Sequence, residues 1–395
     1  MTCADRLTLD KIMAKNQNDL GKEGFLMEWT ITVDKDWSVL EKQFSWVRDM
    51  GQVQQDAVHH AEGNVAIHTQ MVIRQLEQLP EYQKLDRQKQ ELIWASALLH
   101  DVEKRSTTIV GTDGRISSPN HAKKGARTTR EILFRDVETP FALREEIVAL
   151  VRYHGLPLWL MEKADPMKSA LEASLSVNMS QLKLLAEADA RGRYCRDLDA
   201  LLYALDMFEL YTKEIGCWHA ARSFLSENAR FTYFNGNDSY VDYVPYDAFK
   251  STVIVLSGLP GMGKDYQILK MNTDIPVISL DDIRRKYRID PTDKRRNGWV
   301  IQEAKEQAKK YLRCGQDFIW NATNITSLMR QQLIDLFVGY QAYVKLLYVE
   351  KPHKIWRAQN RDREYPLPDP VLDKMLHNLE VPQLTEAHEV HYITT

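Results

Sequence analysis

The run Gly258-Leu259-Pro260-Gly261-Met262-Gly263-Lys264 follows directly on the β-branched stretch TVIVLS and precedes a helical stretch. That placement constrains the chain more than any other feature. A GxxxxGK loop between a strand and a helix lets glycine-freed backbone N–H groups wrap phosphates, with the helix N-terminus adding positive potential and Lys264 a point charge. It requires a parallel sheet to hold it, and the sequence after residue 251 provides one. Short apolar runs (TVIVLSG, IPVISLD, DFIWNATN, AYVKLLYVE) alternate with amphipathic stretches such as WVIQEAKEQAKKYL and SLMRQQLIDLFVGY, the pattern of repeated βα units.

Residues from about 36 to 225 read differently. WSVLEKQFSWVRDM, NVAIHTQMVIRQLEQL, RQKQELIWASALLHDV and ALREEIVALVRYH return apolar residues every three or four positions, which predicts an all-α domain. Gly111, Gly114, Ser117, Ser118 and Pro119 mark a loop within it. Between the two regimes, FTYFNGNDSYVDYVPYDAFK carries turn signals and reads as a linker. With 395 residues, 44% apolar and 27% charged, two soluble domains are expected and disorder is excluded. The four cysteines form no CxxC pair, which argues against a zinc knuckle or a disulfide framework. No apolar run is long enough to span a bilayer and the N-terminus lacks a signal-peptide core, so a cytoplasmic protein is expected. Residues 251–395 hold 21 Lys+Arg against 18 Asp+Glu, and the preceding residues 31 against 37. That small excess is compatible with a polyanionic substrate and far too weak for non-specific duplex coating.

Three further features bear on the C-terminal chemistry. Asp265 stands where a P-loop usually has Ser or Thr, either as a metal-facing carboxylate or as a simple helix-start residue. SLDDIRRKY brings Asp281 and Asp282 to the end of the second predicted strand, with Arg284 one turn on. Asp281 could take a hydroxyl proton while Arg284 holds a phosphate, or the acids could merely cap a helix. WRAQNRDREYP carries Arg357, Arg361 and Arg363 before a proline break, as a basic lid or a solvated helix.

These segments together resemble the 5′-OH polynucleotide kinase family over most of residues 251–395. The glycine loop, Gly258, Gly261, Gly263 and Lys264 with Asp265 after it, is the candidate site for ATP or another NTP with Mg²⁺; the resemblance implies that Lys264 binds the donor phosphates, that Asp281 is the general base, that Arg284 contacts the acceptor or transferred phosphate, and that Arg357 and Arg361 are lid arginines. That family's third strand often ends in Asp-x-Thr-Asn, whereas this chain reads Asn321-Ala322-Thr323-Asn324.

The helical region contains HTQMV, LLHDVEK, HAKKGA, VRYHG and EADARGR in order. Imidazole and carboxylate donors suit Mn, Fe, Co or Ni, and a shared Asp can bridge two ions. The series resembles the HD phosphohydrolase superfamily, which implies that His68, His100, Asp101, His121, His154 and Asp189 hold one or two divalent transition metals and that Lys104 binds phosphate. The usual short element has Gly before that lysine; here it is Glu103. His59, His60 and Glu62 precede the series without an assigned role.

The fusion resembles the bacterial HD-domain polynucleotide kinases, which heal nucleic-acid ends. It implies four segments: 1–35 of unreadable role, 36–228 a metal-dependent phosphohydrolase, 229–250 a linker, and 251–395 a P-loop kinase. The expected partners are RNA or DNA ends and NTP, with a ligase acting afterwards. The competing reading is a small-metabolite or nucleoside kinase fused to an HD nucleotide phosphohydrolase; a nucleotide-gated binding switch is a non-enzymatic third.

Overall fold

The computed structural model describes residues 28–394 except 57, 59, 237–239, 291–292 and 364–365. Most of the 1–35 segment, and His59, therefore lie outside the described residues. The described residues up to Ser223 form one compact unit and those from Phe224 onward a second. Among the described residues, no helix is long and apolar enough to cross a membrane.

The first unit is built on six principal helices: α1 (Val65–Gln78), α2 (Arg87–Leu99), α3 (His121–Arg135), α4 (Phe141–Tyr153), α5 (Met179–Arg191) and α6 (Leu198–Glu214). Side chains of Asn64, Asp86 and Asn178 accept hydrogen bonds from the first-turn amides of α1, α2 and α5, satisfying donors that a helix start leaves open. Helix α2 is the pivot. Every residue from Leu92 to Leu99 is buried, so its second half is enclosed on all sides, with α1, α4 and α5 packed around it. The expected loop at residues 111–119 contains more order than its composition announces: β1 (Ile109–Val110) and β2 (Ile116–Ser117) pair antiparallel, and Gly111 N donates to Arg115 O at 2.8 Å to close the turn.

The second unit begins earlier than the sequence implies. Across the start of the expected linker runs α7 (Glu227–Asn235), capped by Ser226. Its Phe231 is buried in the sheet's hydrophobic core, Arg230 donates to the Leu384 and His388 carbonyls at 3.1 and 2.8 Å, and Asn235 Nδ2 donates to Thr385 O at 2.8 Å. All these partners lie some 150 residues away, so tertiary contacts, not local propensity, make this helix.

The sheet is five-stranded and parallel throughout: β3 (Ser251–Ser257), β4 (Val277–Ser279), β5 (Phe318–Asn321), β6 (Ala342–Glu350) and β7 (Glu389–Thr394), in spatial order β4-β5-β3-β6-β7. Strand β7 went unread in the sequence. Val253 and Val255 point into one hydrophobic layer, Ile254 and Leu256 into the other. Burial on both faces explains why these strands read as continuous apolar runs without alternation. The connecting helices are α8 (Lys264–Met271), α9 (Leu280–Tyr287), α10 (Lys294–Arg313), α11 (Ser327–Val338), α12 (His353–Arg361) and α13 (Asp369–His377). The carboxyl ends of β3, β4 and β5 thereby carry the glycine loop, Asp281 and Asn321 along one sheet edge, where ligands of open α/β sheets bind.

Candidate metal centre and phosphate loop

In the first unit, His100 and Asp101 follow directly on the enclosed end of α2. His68 comes from the buried face of α1, His121 opens α3, His154 caps the end of α4, and Asp189 lies in the last turn of α5. All six meet. His68 Nε2 stands 3.1 Å from Asp189 Oδ1 and 3.7 Å from Asp101 Oδ2; His100 Nε2 is 3.2 Å from Asp101 Oδ2, and His121 Nε2 is 3.5 Å from Asp101 Oδ1. Gly192 makes the α1–α5 approach possible, since a Cβ there would stand 2.7 Å from a Val72 methyl and 2.8 Å from its backbone nitrogen.

The imidazoles are oriented from behind. Nδ1 of His100, His121 and His154 faces the carbonyl of Ala97, Ser118 and Val151 at 2.8, 2.7 and 2.8 Å, and Nδ1 of His68 faces Gly192 O at 3.2 Å. A nitrogen facing a carbonyl carries a proton, which leaves each Nε2 turned inward as the atom available to a metal ion. Nε2 of His121 and of His154 lie 3.3 Å apart, and two lone pairs at that distance call for a cation beside them. Burial pushes His154 down to about 3, which keeps it a neutral donor.

Nε2 of His68 and His100 and both Asp101 oxygens are buried without a well-directed hydrogen bond, although Lys104 Nζ ion-pairs with Asp101 Oδ2 at 2.7 Å. Buried polar atoms of this kind require a partner. Among the described residues, His68/His100/Asp101 and Asp101/His121/His154 form two donor sets, each within 4.8 Å and with Asp101 common to both, while His60, Glu62 and His68 form a third to one side. Burial raises the Asp101 and Asp189 carboxyls, but His100 and Lys104 beside the first, and Arg193 beside the second, outweigh it and hold both well below the usual range. The residues present thus fit a pair of divalent ions.

Lys104 Nζ also donates to Gln55 Oε1 at 2.7 Å. Glu103 turns the other way, to Ser106, Thr128 and Arg105, so its substitution for glycine leaves Lys104 facing the cluster. Two participants, Arg193 and Gln55, escaped the sequence reading, and a third, Glu62, is noted there without a role. Arg193 pairs with Asp189 (Nη2 to Oδ2 2.5 Å), Gln55 holds Lys104, and Glu62 stands with Oε1 at 3.0 Å from His68 Nδ1 and 2.9 Å from His60 Nδ1. Glu62 accepts from Tyr194 N at 3.0 Å through its other oxygen, so it is held against the Nδ1 side of His68. Glu62→Gln is expected to weaken divalent-metal affinity by roughly 10–100-fold, read by competition against a chelator; unchanged affinity would assign Glu62 to packing alone.

In the second unit, Gly258 adopts φ +146°, and a Cβ there would lie 2.4 Å from Val349 O, so only glycine fits. Its N–H donates to Thr323 O at 2.9 Å. Lys264 Nζ donates to the Gly258 and Leu259 carbonyls, each at 2.9 Å. Asp265 Oδ1 accepts from Asn321 Nδ2 at 2.6 Å. Asp281 pairs with Arg284 at 2.5 Å, and Arg284 Nε donates to Asn297 Oδ1 at 2.7 Å. Burial pushes Lys264 down to about 8, with Asp265 and Asp281 opposing and Arg363 reinforcing the shift. The lysine, both acids and that arginine therefore share one electrostatic environment.

The basic segment sits over the loop because Trp356 of α12 is fully buried and donates through Nε1 to Pro260 O at 2.7 Å. Arg357 stacks on Trp356 and pairs with Asp369 and Asp373 of α13, and Arg361 is exposed at the helix end. Arg363 is the arginine that reaches the loop: a Cβ on Gly261 would stand 4.0 Å from its Cδ. Of the three arginines, Arg363 is thus the one beside the glycine loop, while Arg357 is engaged by α13.

Residues 65–203 match the HD domain family and residues 253–382 match an AAA domain family. No curated protein matches the chain. Among solved structures it is similar to a kinase candidate from Chloroflexus aurantiacus J-10-fl, with 16% identity, 38% of this chain and 87% of that one covered, and a TM-score of 0.33. It is also similar to an unliganded sugar kinase from Janibacter sp. HTCC2649, with 17% identity, 36% and 85% covered, and a TM-score of 0.28. The chain joins an HD hydrolase domain to a P-loop kinase-like domain.

Proposed function

We propose that this pairing of an HD hydrolase domain with a P-loop kinase-like domain is a bifunctional nucleic-acid end-healing enzyme. The kinase half transfers the γ-phosphoryl group of an NTP to a 5′-OH end, and the hydrolase half removes 2′,3′-cyclic, 2′- or 3′-phosphate. The chemistry is complementary: broken RNA carries 5′-OH and phosphorylated 2′,3′ ends, and sealing needs 5′-phosphate and 3′-OH.

The observation that carries the kinase reading is the Asp281–Arg284 pair on the same sheet edge as Lys264. Asp281 accepts the proton of the attacking hydroxyl, Arg284 holds the acceptor or transferred phosphate, and Lys264 neutralises the donor phosphates, with positioning and electrostatics supplying most of the acceleration. Arg357, Arg361 and the loop-facing Arg363 would supply charge from the lid as it closes over nucleotide. In the hydrolase half, His68, His100, Asp101, His121, His154 and Asp189 would hold Mn, Fe, Co or Ni. When bound, such ions activate water and neutralise a phosphoester. Lys104 and Arg193 border that cluster as phosphate-binding cations.

The discriminating experiment offers a 5′-OH oligoribonucleotide and a 5′-OH nucleoside in parallel with γ-labelled ATP. The oligonucleotide is expected to be labelled efficiently; label on the nucleoside alone would replace this reading with the small-metabolite kinase.

Lys264 adds a pH signature. Its ammonium, held at about 8 in the free chain, must be charged to meet phosphates, and bound phosphates raise its pKa, so binding takes up a proton above that value. Nucleotide affinity should be level below pH 8 and fall by up to roughly tenfold per unit above it. Titration of a fluorescent ATP analogue from pH 7 to 10 checks this, and a flat profile would contradict it.

A further inference from the structure

Two departures from the usual phosphate-site residues touch each other in this fold. In a P-loop of the usual form a Ser or Thr hydroxyl follows the lysine, a carboxylate stands on a neighbouring strand, and both serve the Mg²⁺ that accompanies the nucleotide. Here the residue after Lys264 is Asp265 and the residue closing β5 is Asn321. Asn321 Nδ2 donates to Asp265 Oδ1 at 2.6 Å across 56 positions of sequence. The carboxylate and the neutral group have exchanged places, and the pair keeps a single carboxylate.

We propose that Asp265 and Asn321 form a transposed Mg²⁺ pair: Asp265 Oδ2 faces the metal of the bound nucleotide while Asn321, by occupying Oδ1, holds the carboxylate in place. The inference rests on reading the loop as a nucleotide site and concerns only how that site meets its metal. Asp265 lies in the first turn of α8, beside the N–H groups that receive phosphates, so a bare carboxylate there would repel the nucleotide unless a divalent cation stood between them. Asn321 is buried whereas Asp265 is exposed, so the amide is the fixed element and the carboxylate the one with an oxygen left for a ligand. The usual Asp at 321 would set two carboxylates at hydrogen-bond distance, so a chain with Asp at 265 needs a donor at 321.

The rival is a helix-start anion that Asn321 merely braces. The two separate in the ratio of ATP-analogue affinity with Mg²⁺ to that with EDTA, measured by fluorescence titration on the full chain, alongside Mn²⁺ binding by electron paramagnetic resonance with ADP present. Asp265→Asn is expected to cut the ratio at least tenfold and to weaken the Mn²⁺ signal. Asp265→Ser should do the same, and adding Asn321→Asp to it should restore most of the loss. Asn321→Asp alone should raise the ratio at least tenfold, because affinity in EDTA collapses, and this variant serves if Asp265→Asn does not fold. A full ratio in Asp265→Asn, or a double variant no better than Asp265→Ser, overturns the transposed pair. Binding by the unsubstituted chain that ignores Mg²⁺ overturns the pair alone; no nucleotide binding at all overturns the pair and the nucleotide reading together.

Discussion

Asp101→Asn is expected to lower metal-dependent phosphate release by on the order of 10³ or more while leaving 5′-phosphorylation within a factor of about two. The size follows from sharing. Asp101 is the one residue common to both donor sets, its two oxygens serving different histidines, so its loss injures both at once. Asn keeps the shape and leaves one oxygen, but removes the charge that balances Lys104 at 2.7 Å. The kinase half keeps its activity because Lys264, Asp281 and Arg284 belong to a separate compact unit. Steady-state hydrolysis of an aryl phosphate with Mn²⁺, Co²⁺ or Ni²⁺, run beside 5′-end labelling, reads both. Hydrolysis that survives Asp101→Asn would remove the cluster from the reaction.

Asp281→Ala should give the opposite separation, lowering 5′-phosphorylation by roughly 10²–10⁴, the usual contribution of a positioned general base, with phosphate release unchanged. Asp281 is exposed on α9 and pairs one turn along its own helix with Arg284, which remains anchored to Asn297. Folding should therefore survive the substitution. A general-base role predicts a loss in kcat with little change in nucleotide affinity, whereas a helix-capping role predicts lost thermal stability and nearly intact turnover. The two are distinguished by measuring both quantities on the same preparation.

The sequence announced what depends on periodicity and local motif. The glycine loop could be located because a strand, a turn and a helix start must adjoin there, and the HD series because five short segments carry its histidines and aspartates in order. What stayed hidden depends on which distant segments the fold brings together. Glu62 lies outside α1 and acquires meaning only when its loop meets His68 and Tyr194, 132 residues later. Arg193 follows α5 and looks like any surface arginine until Asp189 is seen against His68. Helix α7 reads as turn text because its Asn and Gly signals are local, while its stabilising partners begin at Leu384. Arg357 and Arg361 share α12 with the buried Trp356, yet the arginine beside Gly261 is Arg363, beyond the helix end. Asp265 and Asn321 each look like a lost function in isolation; their hydrogen bond is what turns two irregularities into one arrangement.

The most direct test of the central claim uses a single RNA bearing a 5′-OH and a 2′,3′-cyclic phosphate, incubated with ATP, Mg²⁺ and a divalent transition metal, with both termini followed by mass spectrometry. The account predicts that the unsubstituted chain delivers 5′-phosphate and 3′-OH on the same molecule, that Asp101→Asn leaves only the 2′,3′ end unhealed, and that Asp281→Ala leaves only the 5′ end unhealed. An RNA recovered with both termini unchanged, under conditions where the same preparation phosphorylates a nucleoside and hydrolyses a nucleotide, would contradict it.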